Sequence, residues 1–132
     1  MNATETLQIQ HVCIPTSDGQ MPAMLHTPAD PQRKPAVLLL MEAFGLTSHI
    51  QDVAARIAHE GYVVLTPDLY YRELSPKKFG YDQVEAAMSM MYRLDFGQSM
   101  ENDLQAVLAY LQSRPDVNPD KIGVTGFCLG VD

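Results

Sequence analysis

Ala36-Val37-Leu38-Leu39-Leu40-Met41 is apolar at every position. A strand with one wet face alternates apolar and polar residues, so an uninterrupted apolar run needs cover on both faces. A parallel strand between two helix layers meets that need. The following residues supply the rest of the unit. Glu42 to Leu46 reads as a short loop containing Gly45. Thr47 or Ser48 can cap a helix with Ile50, Val53, Ala54, Ile57 and Ala58 on one stripe, and Gly61 ends it. Tyr62 to Leu65 is a second buried strand, stopped by Pro67. The order strand, helix, strand predicts a right-handed crossover in a parallel sheet.

The flanks extend this unit in both directions. Leu7 to Ile14 and Met21 to Thr27 predict an antiparallel hairpin about the turn Thr16-Ser17-Asp18-Gly19, with Cys13 as a core residue of its first strand. Asp68 to Tyr81 is a long excursion rich in Tyr, Pro, Lys and Gly. A helix over Asp82 to Tyr92 should bury Val84, Ala87, Met88 and Met91, its methionines serving as packing. A second helix over Ser99 to Ser113 shows Leu104, Val107, Leu108 and Leu111 at helical spacing. Pro115 and Pro119 interrupt the chain before a third short strand, Lys121 to Thr125. No internal repeat or domain boundary is visible, so residues 1–132 are expected to belong to one α/β domain.

Composition narrows the partners. The formal net charge of the 132 residues is −7, which argues against nucleic acid or an anionic membrane surface. The N-terminus carries neither a basic nor an apolar stretch of signal-peptide type, and the longest apolar run is too short to cross a bilayer. Cys13 and Cys128 lie far apart without metal-ligand spacing, so a reducing, cytoplasmic setting is expected.

The third strand feeds Gly126-Phe127-Cys128-Leu129-Gly130. Gly-x-Cys-x-Gly after an apolar strand is the cysteine form of the nucleophile elbow, a strained strand-to-helix turn. Its glycines are needed where a side chain would strike the neighbouring strand or helix. The backbone N–H after the nucleophile can stabilise an oxyanion. A free thiol ionises near about pH 8.5 and becomes a good nucleophile when a base takes its proton. A helix N-terminus beyond the elbow would also favour the thiolate. Glu42 follows a wholly apolar strand and therefore sits where α/β sites collect. Asp68 could cap its loop or form an active-site wall, the structural role being favoured. Tyr70, Tyr71 and Arg72 could line a substrate pocket or cover the sheet edge.

Three stretches together resemble the dienelactone hydrolase family of α/β-hydrolases. They are Met41-Glu42-Ala43-Phe44-Gly45, Pro67-Asp68-Leu69-Tyr70 and Gly126-Phe127-Cys128-Leu129-Gly130, each after a buried strand. The resemblance runs from about Leu7 to Gly130. It implies a mostly parallel sheet with an N-terminal hairpin, and hydrolysis of a lactone or small carboxylic ester of the carboxymethylenebutenolidase type without metal or cofactor. It implies Cys128 as nucleophile and Glu42 as the carboxylate that contacts the thiol at rest. It implies the N–H groups of Leu129 and Ala43 as the oxyanion hole. Family members acting on dienelactone grip its carboxylate with arginines. Here the helix from Asp82 to Tyr92 has none before Arg93, so Arg72 is the candidate, and a different ester or lactone is open.

The family's triad also needs an acid and a histidine after the nucleophile. Only Leu129, Gly130, Val131 and Asp132 follow Cys128, and His11, His26, His49 and His59 all precede it. Val131 stands where the family usually has a further glycine. The chain therefore reads as the N-terminal part of a hydrolase domain, truncated after the elbow strand and inactive alone. The elbow strand would then be an apolar edge, which predicts self-association. The competing reading is a non-catalytic piece that binds a ligand or pairs with another chain. A nucleotide-binding domain is disfavoured, because no Gly-x-Gly-x-x-Gly follows the first buried strand.

Overall fold

The computed structural model describes residues 6–73, 78–95 and 97–126. Among these residues five strands form one mixed sheet in the order β1-β2-β4-β3-β5. β1 (Leu7–Thr16) and β2 (Gly19–Pro28) make the hairpin, closed where Thr16 pairs with Gly19. Gly19 has φ +138°, a conformation that side-chain-bearing residues rarely adopt, which is why glycine ends this two-residue turn. β2 also pairs antiparallel with β4 (Val63–Pro67). β3 (Lys34–Leu40) lies parallel to both β4 and β5 (Val117–Gly126).

The two faces of β3 account for its unbroken apolar run. Leu39 packs with Val64 of β4 and with Ile50, Ala54 and Ala58 of α1 (Ser48–His59). On the other face Ala36 and Leu38 join Ala23, Leu25, Val63 and Leu65 in the larger core cluster. That cluster also includes Met90 of α2 (Val84–Tyr92) and Val107 and Leu111 of α3 (Gln98–Ser113). Each such aliphatic side chain contributes about 1.5–3 kcal/mol on burial. α1 begins where Thr47 Oγ1 accepts the Ile50 N–H at 3.4 Å, the expected cap.

Several expectations change. Cys13 is exposed, not a core residue. β1 is an outer strand, and its alternation puts Ile14 in the core and leaves His11 and Cys13 outside. Val84 is also exposed, and α2 buries Ala87 and Met90 instead. α3 buries Asp103 beside Val107 and Leu111, while Leu104 and Leu108 are only partly covered. β5 starts at Val117 and runs through Pro119, because Val117 pairs with Lys34 before a register shift. Among the described strands β5 is the outer neighbour of β3, and a proline is tolerated there.

Candidate active site

The candidate site gathers at the C-terminal end of β3. Beyond Leu40 the chain turns tightly through Glu42-Ala43-Phe44-Gly45. The Gly45 N–H donates to the Glu42 carbonyl at 2.9 Å, and Gly45 has φ +92°. Glycine is required at that φ. The bonded carbonyl belongs to the peptide plane that carries the Ala43 N–H, so the turn fixes this N–H in direction. Among the described residues no hydrogen bond claims it. Tyr70 is fully buried, and its hydroxyl donates to the Ala43 carbonyl at 2.7 Å. The loop is therefore anchored at two successive peptides.

Glu42 is only 8% exposed. A carboxylate so buried needs donors. Thr47 Oγ1 donates to Glu42 Oε1 at 3.2 Å, and the Tyr81 hydroxyl donates to the same oxygen at 2.9 Å. No described side chain forms an ion pair with Glu42. Its hydrogen bond to Glu42 pushes the Tyr81 phenol above its ordinary range. Thr47 thus caps α1 and holds Glu42. The sequence reading gave Thr47 only the cap and gave Tyr81 no role. The five-residue spacing from Glu42 to the cap was a usable signal for Thr47; nothing local connects Glu42 with Tyr81.

Beside this carboxylate, a cleft of about 370 Å³ is lined by Thr47, Ser48, Lys78, Phe79, Gly80 and Tyr81. A neighbouring cleft of about 410 Å³ is bounded by His11, Met24, Leu46, Gln51, Asp68 and Lys78 among others. Asp68 caps its own turn, its Oδ1 accepting the Tyr70 N–H at 3.0 Å. Its N–H donates to the Pro22 carbonyl at 2.8 Å. Among the described residues no group of three His, Cys, Asp or Glu side chains is placed to hold a metal ion.

Arg72 lies elsewhere. Its Nη1 and Nη2 donate to Asp103 Oδ2 and Oδ1, both at 2.9 Å, and its Nε donates to Asp18 Oδ2 at 2.8 Å. The Tyr71 hydroxyl donates to Asp103 Oδ1 at 2.9 Å and meets Thr16 Oγ1 at 2.8 Å. The guanidinium stacks on the Tyr71 ring, 4.6 Å from its centroid. Tyr71 and Arg72 thus tie the β1–β2 turn to α3. Arg72 and Tyr70 both border a small separate cavity of about 80 Å³ that neither Glu42 nor Tyr81 lines.

The strand that leads to the elbow is placed beside this loop. Gly126, its last described residue, pairs with Leu40. A Cβ on Gly126 would stand 2.8 Å from Leu40 Cβ and 3.3 Å from the Leu40 carbonyl oxygen. β5 therefore delivers the chain to the end of β3 at a spacing only glycine allows. Cys128 and Leu129 lie outside the described residues.

The family model of the dienelactone hydrolase family matches residues 21–132. The chain belongs to the dienelactone hydrolase family. A Synechocystis protein named as a carboxymethylenebutenolidase is 36% identical over 90% of this chain and 49% of its own length. A Methylorubrum extorquens protein with the same name is 34% identical over 90% of this chain and 40% of its own. A Klebsiella pneumoniae structure named as a dienelactone hydrolase superposes with a TM-score of 0.80 at 26% identity, covering 93% of this chain and 50% of that one. The chain spans about half the length of the curated relatives it matches. The fold is that of the α/β-hydrolases, as the sequence implied. No helix among the described residues is long and apolar enough to cross a membrane.

Proposed function

We propose that this chain supplies the nucleophile half of a carboxylic-ester or lactone hydrolase, as the N-terminal part of one α/β-hydrolase domain. Cys128 attacks the carbonyl carbon of the substrate. The thiol passes its proton to a base, the C–O bond breaks and the leaving alkoxide takes up that proton, and an acyl-thioester forms that water then hydrolyses. The N–H groups of Ala43 and Leu129 hold the developing oxyanion. Each such donor lowers the barrier by about 2.7–4 kcal/mol. Glu42 contacts the thiol at rest. Substrate gripping by Tyr70 or Arg72 has less support, because one is buried under Ala43 and the other is engaged by two aspartates. A reducing, cytoplasmic setting suits the thiol, and no metal or cofactor enters the chemistry.

The observation that carries this reading is the Glu42 turn. It presents an Ala43 N–H that no described residue claims and a buried carboxylate at the end of the strand that Gly126 closely approaches. Iodoacetamide labelling tests it. Cys128 should be alkylated much faster than the exposed Cys13 near neutral pH, and Glu42→Gln should narrow the gap. Equal, slow labelling of both thiols would sink the proposal.

A second reading has its own observation. Among the described strands β5 is an outer one, and Val124 on it is 63% exposed. Such an edge can pair with another chain. Under this reading the chain self-associates through β5 and performs no chemistry alone. Sedimentation of the purified chain, with Val124→Lys as a blocked edge, separates the readings: dissociation by the lysine favours pairing through β5.

A further inference from the structure

We propose that Tyr81 is a positioning residue that fixes one oxygen of Glu42 and so leaves the other for the nucleophile. This inference rests on the reading of Glu42 as the resting partner of the Cys128 thiol.

Both hydroxyl donors to Glu42, from Thr47 and Tyr81, converge on Oε1. No described residue donates to Oε2. A carboxylate whose two donors share one oxygen is held in rotation about its last bond, and its second oxygen remains an open acceptor. The donors also differ in kind. Thr47 belongs to the start of α1 and is itself buried. Tyr81 lines the same cleft from a separate segment of the chain and is 58% exposed.

Burial does not explain where the Tyr81 hydroxyl goes, because an exposed phenol is satisfied by water. Two further contacts hold it. The Tyr81 ring meets Phe44 edge-on, with centroids 4.7 Å apart and planes at 78°. The Phe79 N–H donates to the Phe44 carbonyl at 3.0 Å. The segment from Phe79 to Tyr81 therefore clasps the Glu42–Phe44 turn at its backbone, at an aromatic ring and at the carboxylate. Lys78 borders the same cleft and is the cation nearest in sequence to this clasp. A residue that only packed on Phe44 would not need the hydroxyl.

Two arms test the proposal on the full chain. In the first, Glu42→Gln removes the anionic acceptor, and tyrosine Cζ resonances report each phenol's titration. The Tyr81 midpoint, raised by its bond to the carboxylate, should fall back toward its ordinary 10.0. In the second, Tyr81→Phe keeps the ring against Phe44 and removes only the donor. The ratio of Cys128 to Cys13 alkylation rates by iodoacetamide should drop about tenfold, the weak end for a hydrogen bond to a charged group. An unmoved Tyr81 midpoint in Glu42→Gln would overturn the pairing. A Tyr81→Phe ratio matching the wild type, while Glu42→Gln lowers it, would overturn the positioning role. A wild-type ratio near unity would overturn the Cys128 reading and this role with it; the Tyr81 midpoint would still report whether the pair forms.

Discussion

Arg72→Ala separates a structural guanidinium from a substrate-gripping one. The change strips Asp103 of two hydrogen bonds and leaves a carboxylate side chain that is 2% exposed. The Tyr71 hydroxyl is then its remaining described donor. Removing one member of a buried ion pair costs about 3–5 kcal/mol, chiefly because the other charge stays buried. The Arg72 side chain is 31% exposed, so the low end, about 3 kcal/mol, applies. The contact with Asp18 adds little, because both partners reach water and such pairs contribute about 0–1 kcal/mol. Arg72→Lys keeps the charge but loses the two-pronged geometry, so it should recover only part of the loss. Arg72→Met combined with Asp103→Leu should return close to the parent, since no lone charge remains. Urea unfolding followed by circular dichroism measures the parent and the three variants, with shifts in midpoint at constant slope read as stability. A loss below about 1 kcal/mol for Arg72→Ala would place the pair among exposed ones and refute the reasoning. A gripping arginine would instead leave stability intact when it is removed.

Three further outcomes are expected. Gly126→Ala forces a Cβ to within 2.8 Å of Leu40 Cβ and should cost about 1–3 kcal/mol in urea unfolding; Leu40→Ala should not rescue it, because alanine keeps the struck Cβ. Burial holds His26 below its usual 6.5, so it stays neutral in the folded chain while the unfolded chain takes up a proton. Stability should therefore be full above pH 6.5 and fall as the pH drops below it, with a shallower slope in His26→Leu, as urea midpoints between pH 7 and 5 will show. Thr47→Val removes the α1 cap and one Glu42 donor and should cost about 1 kcal/mol or more, whereas Thr47→Ser should be close to neutral by the same assay.

Much of the fold was legible because the signals were local. The unbroken run in β3 demanded two covered faces, and the α1 stripe and its cap were readable within one window. The errors came from tertiary context. Asp103 breaks the apolar face of α3 because Arg72, 31 residues away, neutralises it. Met90 displaces Val84 from the buried face of a short helix whose orientation the sheet decides. Cys13 is exposed because β1 is an outer strand, which strand order alone reveals. At the candidate site, Glu42 stood out as the residue after a wholly apolar strand, whereas a role for Ala43 came only with the family resemblance. Tyr81 was not, because it meets Glu42 across 39 residues of chain.

Acyl transfer to Cys128 is the central claim, and trapping the acyl-thioester tests it most directly. The full chain, mixed with a p-nitrophenyl ester and quenched in acid, should yield one acyl group per chain by intact mass. Peptide mapping should place that group on Cys128, and the adduct should vanish in Cys128→Ala while surviving in Cys13→Ala. An adduct on Cys13 alone, or the same acylation in Cys128→Ala, would contradict the assignment of this chain as the nucleophile half of a hydrolase.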